Sequence, residues 1–248
     1  MEWKGYEVEN DTIVINSRFC GPPNSGNGGY VCGRVAEFID GPAVVRLLVP
    51  APLDVELTLQ RTPAGVSLVY EHAVIAQGRQ TKVRLDVPDP PTLSEAQTAS
   101  REYRGFTSHW FPTCFVCGPK RGLGDGLRVF PGDVAGRRLV ASPWEPDKSL
   151  CDPGGRVLPV FMWAVLDCPG AFTFDKSARS MILLGELTVE LRGFISTGER
   201  CVVIGWEIGR EGRKHYTGTA IFSESGACCG VGHSIFFEVA SPAGESPT

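Results

Sequence analysis

Asp167 follows an eleven-residue stretch, 156–166, in which Val157, Leu158, Val160, Phe161, Met162, Trp163, Ala164, Val165 and Leu166 leave almost no polar position. A carboxylate after so apolar a run is costly unless it is paired or used. Used, it can act as a general base on water or as a nucleophile toward an electrophilic carbonyl. Otherwise it caps the turn at Cys168-Pro169 or meets a nearby arginine.

The stretch Cys20-Gly21-Pro22-Pro23-Asn24-Ser25-Gly26-Asn27-Gly28-Gly29 suits the other half of such chemistry. That much Gly and Pro makes a tight loop, and a helix over 30–39 follows, with Val31, Val35, Phe38 and Ile39 at helical spacing. The first turn of a helix has unpaired N–H groups and a partial positive charge, and glycine lets a ligand approach the backbone closely. The amides of Gly28, Gly29 and Tyr30 can therefore hold a developing oxyanion, with the Asn27 amide as a further donor. The alternative is that Asn27 only caps the helix and the glycines only turn the chain. Glu37 matches Asp167 in being an acid late in a helix, although an i, i+3 pair with Arg34 accounts for it.

Cys114-Phe-Val-Cys117-Gly-Pro is half of a zinc site. No second CxxC follows. Cys151, Cys168 or His109 would complete a site only by folding back, so a turn with two buried thiols, no metal and no cofactor is the expectation. Cys168 has no histidine near it in sequence, and the four histidines form no recognisable triad. Gly118-Pro-Lys-Arg-Gly-Leu-Gly-Asp-Gly126 lacks the Gly-Lys-Ser/Thr of a phosphate loop. Arg121, Arg156, Lys176 and Arg179 are cations that suit the phosphates of a charged ligand, or plain surface charge.

The elements that must position these groups come in two similar series. The predicted helix 30–39 is followed by strands at 43–49, 53–60, 66–76 and 81–87. The apolar helix at 156–166, preceded by Gly154-Gly155, is followed by strands near 187–192, 201–208, 215–222 and 231–239. Leu53-Asp54-Val55-Glu56-Leu57-Thr58-Leu59-Gln60 and Leu187-Thr188-Val189-Glu190-Leu191-Arg192 alternate apolar and polar, as strands with one wet face do. Further strands are expected at 6–17, 126–130 and 138–142. A duplicated helix-plus-sheet unit restricts the fold sharply and makes the boundary between the units the default site. The expected division is a first unit at 1–88, a linker at 89–112 with one helical turn, a second unit at 113–240 and a disordered tail at 241–248.

With 42% hydrophobic and 21% charged residues, a packed core is expected and disorder is not. A net charge of −4 argues against nucleic-acid backbone binding as the main task. No apolar run approaches the ~20 residues of a membrane span, and the first ten residues do not resemble a signal peptide. Nine cysteines, an odd number, then read as free thiols in the cytoplasm.

This order of elements resembles the hotdog fold, and two units in one chain resemble the double-hotdog acyl-CoA thioesterases of the thioesterase-like superfamily. The stretch 21–30 is similar to that superfamily's helix-opening loop. Val49-Pro-Ala-Pro-Leu53, the alternation after it and Val74-Ile-Ala-Gln-Gly78 are similar to its strand pattern. Trp163-Ala-Val-Leu-Asp-Cys-Pro-Gly170 and the last four strands resemble the partner unit. The resemblance implies an α+β double hotdog, two antiparallel sheets each wrapping a central helix. It implies hydrolysis of acyl-CoA or acyl-carrier thioesters, with Asp167 as general base or nucleophile and Asn27, Gly28, Gly29 and Tyr30 around the oxyanion. Phe161, Trp163 and Phe172 would line an acyl slot, and Arg156 would meet the carrier. Where many single-hotdog thioesterases have His-Gly-Gly, this chain has Asn27-Gly-Gly and Pro153-Gly-Gly. A non-catalytic acyl-CoA or lipid-binding module is the alternative, and a hydratase and a structural zinc protein are more distant ones. A homodimer through sheet edges is expected.

Overall fold

The computed structural model describes residues 10–174, 180–241 and 247. Lys176, Arg179, the first residues of the expected strand 6–17 and most of the tail at 241–248 lie outside them.

Among the described residues, eleven strands form one antiparallel sheet. They are β1 (Asn10–Val14), β2 (Ala43–Leu47), β3 (Glu56–Thr62), β4 (Gly65–Tyr70), β5 (Ala73–Gln80), β6 (Gly132–Asp133), β7 (Val140–Trp144), β8 (Ser180–Leu191), β9 (Cys201–Glu211), β10 (Lys214–Phe222) and β11 (Cys228–Ala240). Their order is β1-β3-β4-β5-β2-β8-β11-β10-β9-β7-β6. The two sheets expected from the sequence are thus one. β2 of the first half pairs with β8 of the second, from Ala43 against Val189 to Arg46 against Glu186.

The alternating segments behave as their pattern requires. Leu57 and Leu59 in β3, and Leu187 and Val189 in β8, are buried between more exposed neighbours. Other expectations are corrected. Residues 66–76 are two strands, because the chain turns at Glu71, which has φ 52°. Residues 81–87 and 126–130 belong to no strand.

Among the described residues, three α-helices accompany the sheet: α1 (Gly28–Ala36), α2 (Leu93–Arg101) and α3 (Pro159–Val165). α2 lies where one helical turn in a linker was expected. Its start is a capping box, in which the Thr92 hydroxyl accepts from Glu95 N–H and the Glu95 carboxylate accepts from Thr92 N–H. Ala96 and Ala99 of α2 pack with Leu139, Ala141, Ile204 and Ala220, in a core separate from the main one. α1 and α3 pack on each other, and α1 also touches β2, β5 and β8. The main core draws on both halves of the chain, from Ile13 and Leu57 to Val189 and Ile221.

Glycine sets the distance between α1 and α3. A Cβ at Gly29 would lie 2.5 Å from Asp167 Cβ and 2.9 Å from Trp163 O, and one at Gly33 would lie 3.0 Å from Val160 Cα. The two glycines are one helical turn apart, so they form a bare strip on α1 against which the backbone of α3 lies. α3 opens differently. Gly154 and Gly155 form a turn before it, with Gly155 at φ 79°, and its first residue is Pro159, which suits a position whose N–H would have no helical partner. Among the described residues, no helix is long and apolar enough to cross a membrane.

Candidate active site at the junction of the two helices

Asn27 is the N-cap of α1. Its Oδ1 accepts from Tyr30 N–H at 2.9 Å, and its backbone is extended (φ −59°, ψ 133°). The capping role weighed for Asn27 is therefore present, and it leaves the amide nitrogen available. That Nδ2 donates to Asp167 Oδ2 at 3.2 Å. Gly29 N–H donates to the same oxygen at 2.8 Å. A carboxylate of the second half thus sits on the helix N-terminus of the first half, where the macrodipole favours negative charge.

Asp167 lies just past the C-terminal end of α3, ahead of the 3-10 turn Cys168–Phe172. Its neighbours Leu166 and Cys168 are buried, and it is itself 4% exposed. Burial raises its pKa to about 7. The Gly29 N–H and Asn27 amide pull against this rise, and the nearby Cys114 adds to it. The arginine partner weighed for Asp167 is not found among the described residues. Oδ1 has no hydrogen-bond partner among them either, and Asp167 lines a cavity of about 500 Å³.

That cavity is mainly apolar. Leu47, Val49, Ala51, Trp110, Phe111, Phe172, Leu184 and Phe236 contribute to its wall, and Asn27, Gly28 and Asp167 are among its polar edge. Of the proposed oxyanion donors, Gly29 N–H is taken by Asp167 and Tyr30 N–H by Asn27. Gly28 N–H has no partner among the described residues, and Gly28 lines the cavity. The geometry therefore leaves one first-turn amide, rather than three, without a partner among the described residues.

The other sequence-derived candidates divide. Phe172 is on the cavity wall. Phe161 is in an aromatic cluster with Phe19, Tyr30 and Phe115, with Phe19 stacked on Tyr30 at 4.2 Å. Trp163 packs over Gly33. The Arg156 guanidinium lies over the Phe194 ring at 4.5 Å. Glu37 makes the i, i+3 pair with Arg34, at 3.0 Å. Trp110 and residues 47–51 and 181–184 were not singled out as lining, since nothing local marks a strand end or loop as the wall of a non-local cavity.

The chain does fold back on the Cys114-Phe-Val-Cys117 turn. Cys168 Sγ lies 3.9 Å from Cys114 Sγ, and His109 Nε2 lies 3.4 Å from Cys117 Sγ. The sulfurs of Cys114, Cys117 and Cys168 are all within 4.8 Å of one another, and the three thiols are buried on the wall of the same cavity. Cys151 is not part of this group. All nine cysteines are free.

No family model and no curated protein matches the sequence. Solved structures do match over nearly the full chain. A proposed thioesterase II of Thermobifida fusca is similar with a TM-score of 0.60 and 12% identity, over 94% of this chain and 95% of that one. The tesB protein of Mycobacterium avium subsp. paratuberculosis is similar with a TM-score of 0.58 and 11% identity, over 94% and 96%. A conserved protein of unknown function with the hot dog fold, from Alicyclobacillus acidocaldarius, has a TM-score of 0.58 and 8% identity, over 96% of both chains. At such identities the likeness is one of fold, and the fold is the hotdog, over nearly the full length of the chain.

Proposed function

We propose that this double-hotdog protein hydrolyses acyl thioesters, with an acyl group carried on CoA or an acyl-carrier protein as substrate. The observation that carries the reading is the placement of Asp167. A buried carboxylate on the edge of an apolar cavity is fixed through one oxygen and leaves the other unpartnered among the described residues. In the proposed reaction the acyl chain lies in the cavity and the thioester carbonyl points at Gly28 N–H. The N-terminus of α1 favours the charge that develops on that oxygen. Asp167 Oδ1 takes a proton from water as the water attacks the carbonyl carbon, and the thiol leaves with a proton. Chains called thioesterases share the fold, which agrees with this reading without supplying a substrate.

One observation favours a second reading, a binding module for acyl-CoA without turnover. Two of the three first-turn amides of α1 are already satisfied inside the protein, so electrophilic help is limited to one N–H. The deciding experiment is incubation with acyl-CoAs of graded chain length, with free CoA followed by mass spectrometry, for the native chain and Asp167→Asn. Release by the native chain well above that by the variant supports hydrolysis. Saturable binding with no release supports the binding module, and equal release by both proteins removes Asp167 from the mechanism.

A further inference from the structure

The thiols of Cys114, Cys117 and Cys168 take no part in the proposed hydrolysis, yet they converge within 4.8 Å beside it. We infer that these three cysteines bind a thiophilic divalent metal ion, zinc being the fitting one, on the wall of the cavity.

The spacing is that of ligands around a shared centre. Two thiolates on one tetrahedral zinc, each bond about 2.3 Å long, sit roughly 3.8 Å apart. Cys114 Sγ and Cys168 Sγ are 3.9 Å apart, far beyond the ~2.05 Å of a disulfide.

The turn that presents Cys114 and Cys117 is also held in shape. Gly118 N–H closes the turn on Cys114 O at 2.9 Å. A Cβ at Gly118 would lie 2.5 Å from both Cys114 N and Cys114 O, so the tightness of the Cys-x-x-Cys-Gly turn depends on glycine.

Around the sulfurs stand N–H donors, the usual outer support of a metal–thiolate group. Asn27 Nδ2 is 3.7 Å from Cys114 Sγ and 3.9 Å from Cys168 Sγ. His109 Nδ1 accepts from Phe111 N–H at 2.9 Å, so in the neutral ring Nε2 carries the proton and donates to Cys117 Sγ. His109 is then an orienting donor, not a ligand. The three thiolates fill three positions, and the fourth is left for a water or a ligand from the cavity. Binding displaces the thiol protons to solvent.

The test uses the full chain, expressed with zinc and purified under reducing conditions, with metal content read by plasma mass spectrometry. The expected result is about one zinc per chain in the native protein and in Cys151→Ser. In Cys114→Ser and Cys117→Ser it should be at least about tenfold lower. Because either of these variants can fail to fold, the native chain is also stripped with a chelator, reduced and titrated with cobalt(II). Sulfur-to-cobalt charge-transfer bands and the intense visible bands of tetrahedral cobalt are expected. Absence of bound zinc together with absence of these bands overturns the assignment. So does zinc that persists undiminished in folded Cys117→Ser. None of these readouts depends on thioester hydrolysis.

Discussion

The carboxylate of Asp167 and the backbone N–H of Gly29 meet at 2.8 Å across the boundary between the two halves of the chain. One residue is the acid that ends an apolar run and the other lies in the first turn of a helix 138 residues earlier. The bond does two things at once. It satisfies an amide that the start of α1 leaves open, and it holds a carboxylate where burial alone would disfavour its charge. These effects can be separated by substitution.

Asp167→Asn keeps an oxygen for Gly29 N–H and removes the charge that burial penalises. We expect its melting temperature to stay at or above that of the native chain, while thioester hydrolysis falls by roughly 10²–10⁴-fold. Asp167→Ala leaves Gly29 N–H and Asn27 Nδ2 without this acceptor and should cost about 1–3 kcal/mol. Thermal unfolding of both, beside the CoA-release assay, separates the structural role from the chemical one.

Asn27→Ala loses the cap of α1 and should lower stability by about 0.5–2 kcal/mol. Asn27→Asp is an equally good cap on propensity, but it places a second carboxylate where Nδ2 now donates to Asp167 at 3.2 Å. Like charges so close and so buried oppose each other. Asn27→Asp should therefore be less stable than Asn27→Ala at neutral pH, an order that chemical denaturation can check and that capping alone would reverse.

Neighbouring glycines should differ in their tolerance of a methyl group. At Gly29 the added Cβ meets Asp167 Cβ at 2.5 Å and the backbone oxygen of Trp163 at 2.9 Å. Neither can move without parting α1 from α3, so Gly29→Ala should cost at least about 1–3 kcal/mol. At Gly28 the nearest atoms are the Leu184 side chain at 2.9 Å and Leu47 Cδ1 at 3.2 Å, both movable. Gly28→Ala should be markedly milder in thermal unfolding, and loss of activity without loss of fold there would point to the open amide.

The apolar wall should set the length of the accepted acyl group. Leu184→Trp adds volume inside a cavity of about 500 Å³, and Phe172→Ala removes it. The first should move the best acyl-CoA to shorter chains and the second to longer ones. Each methylene is worth about 0.8 kcal/mol of burial, so the profiles should shift by roughly fourfold per carbon.

The sequence made the elements more legible than their partnerships. Alternation marked 53–60 and 187–192 as half-buried strands because side-chain direction has a period of two, a purely local property. Local pattern carries no information on which strand lies beside which, so the β2–β8 pairing that makes one sheet of two was not visible. Residues 81–87 alternate in the same way and yet form no strand. Asp167 was legible because a charge after an apolar run is anomalous on its own. Its partners Asn27 and Gly29 were identified, but as donors to a ligand rather than to Asp167. The Cys114-x-x-Cys117 turn was read as half a site, since Cys168 reaches it only through the packing of α3 on α1.

The close fit of Asp167 on α1 has no counterpart at the start of α3. There Pro159 has no N–H to offer, Leu158 supplies no side-chain cap, and Glu37, the matching acid, is turned toward Arg34. The two-fold likeness of the units therefore stops at the site. The chain is expected to titrate with a single equivalent of ligand, and its halves are not interchangeable: one provides the positive helix end, the other the carboxylate that sits on it.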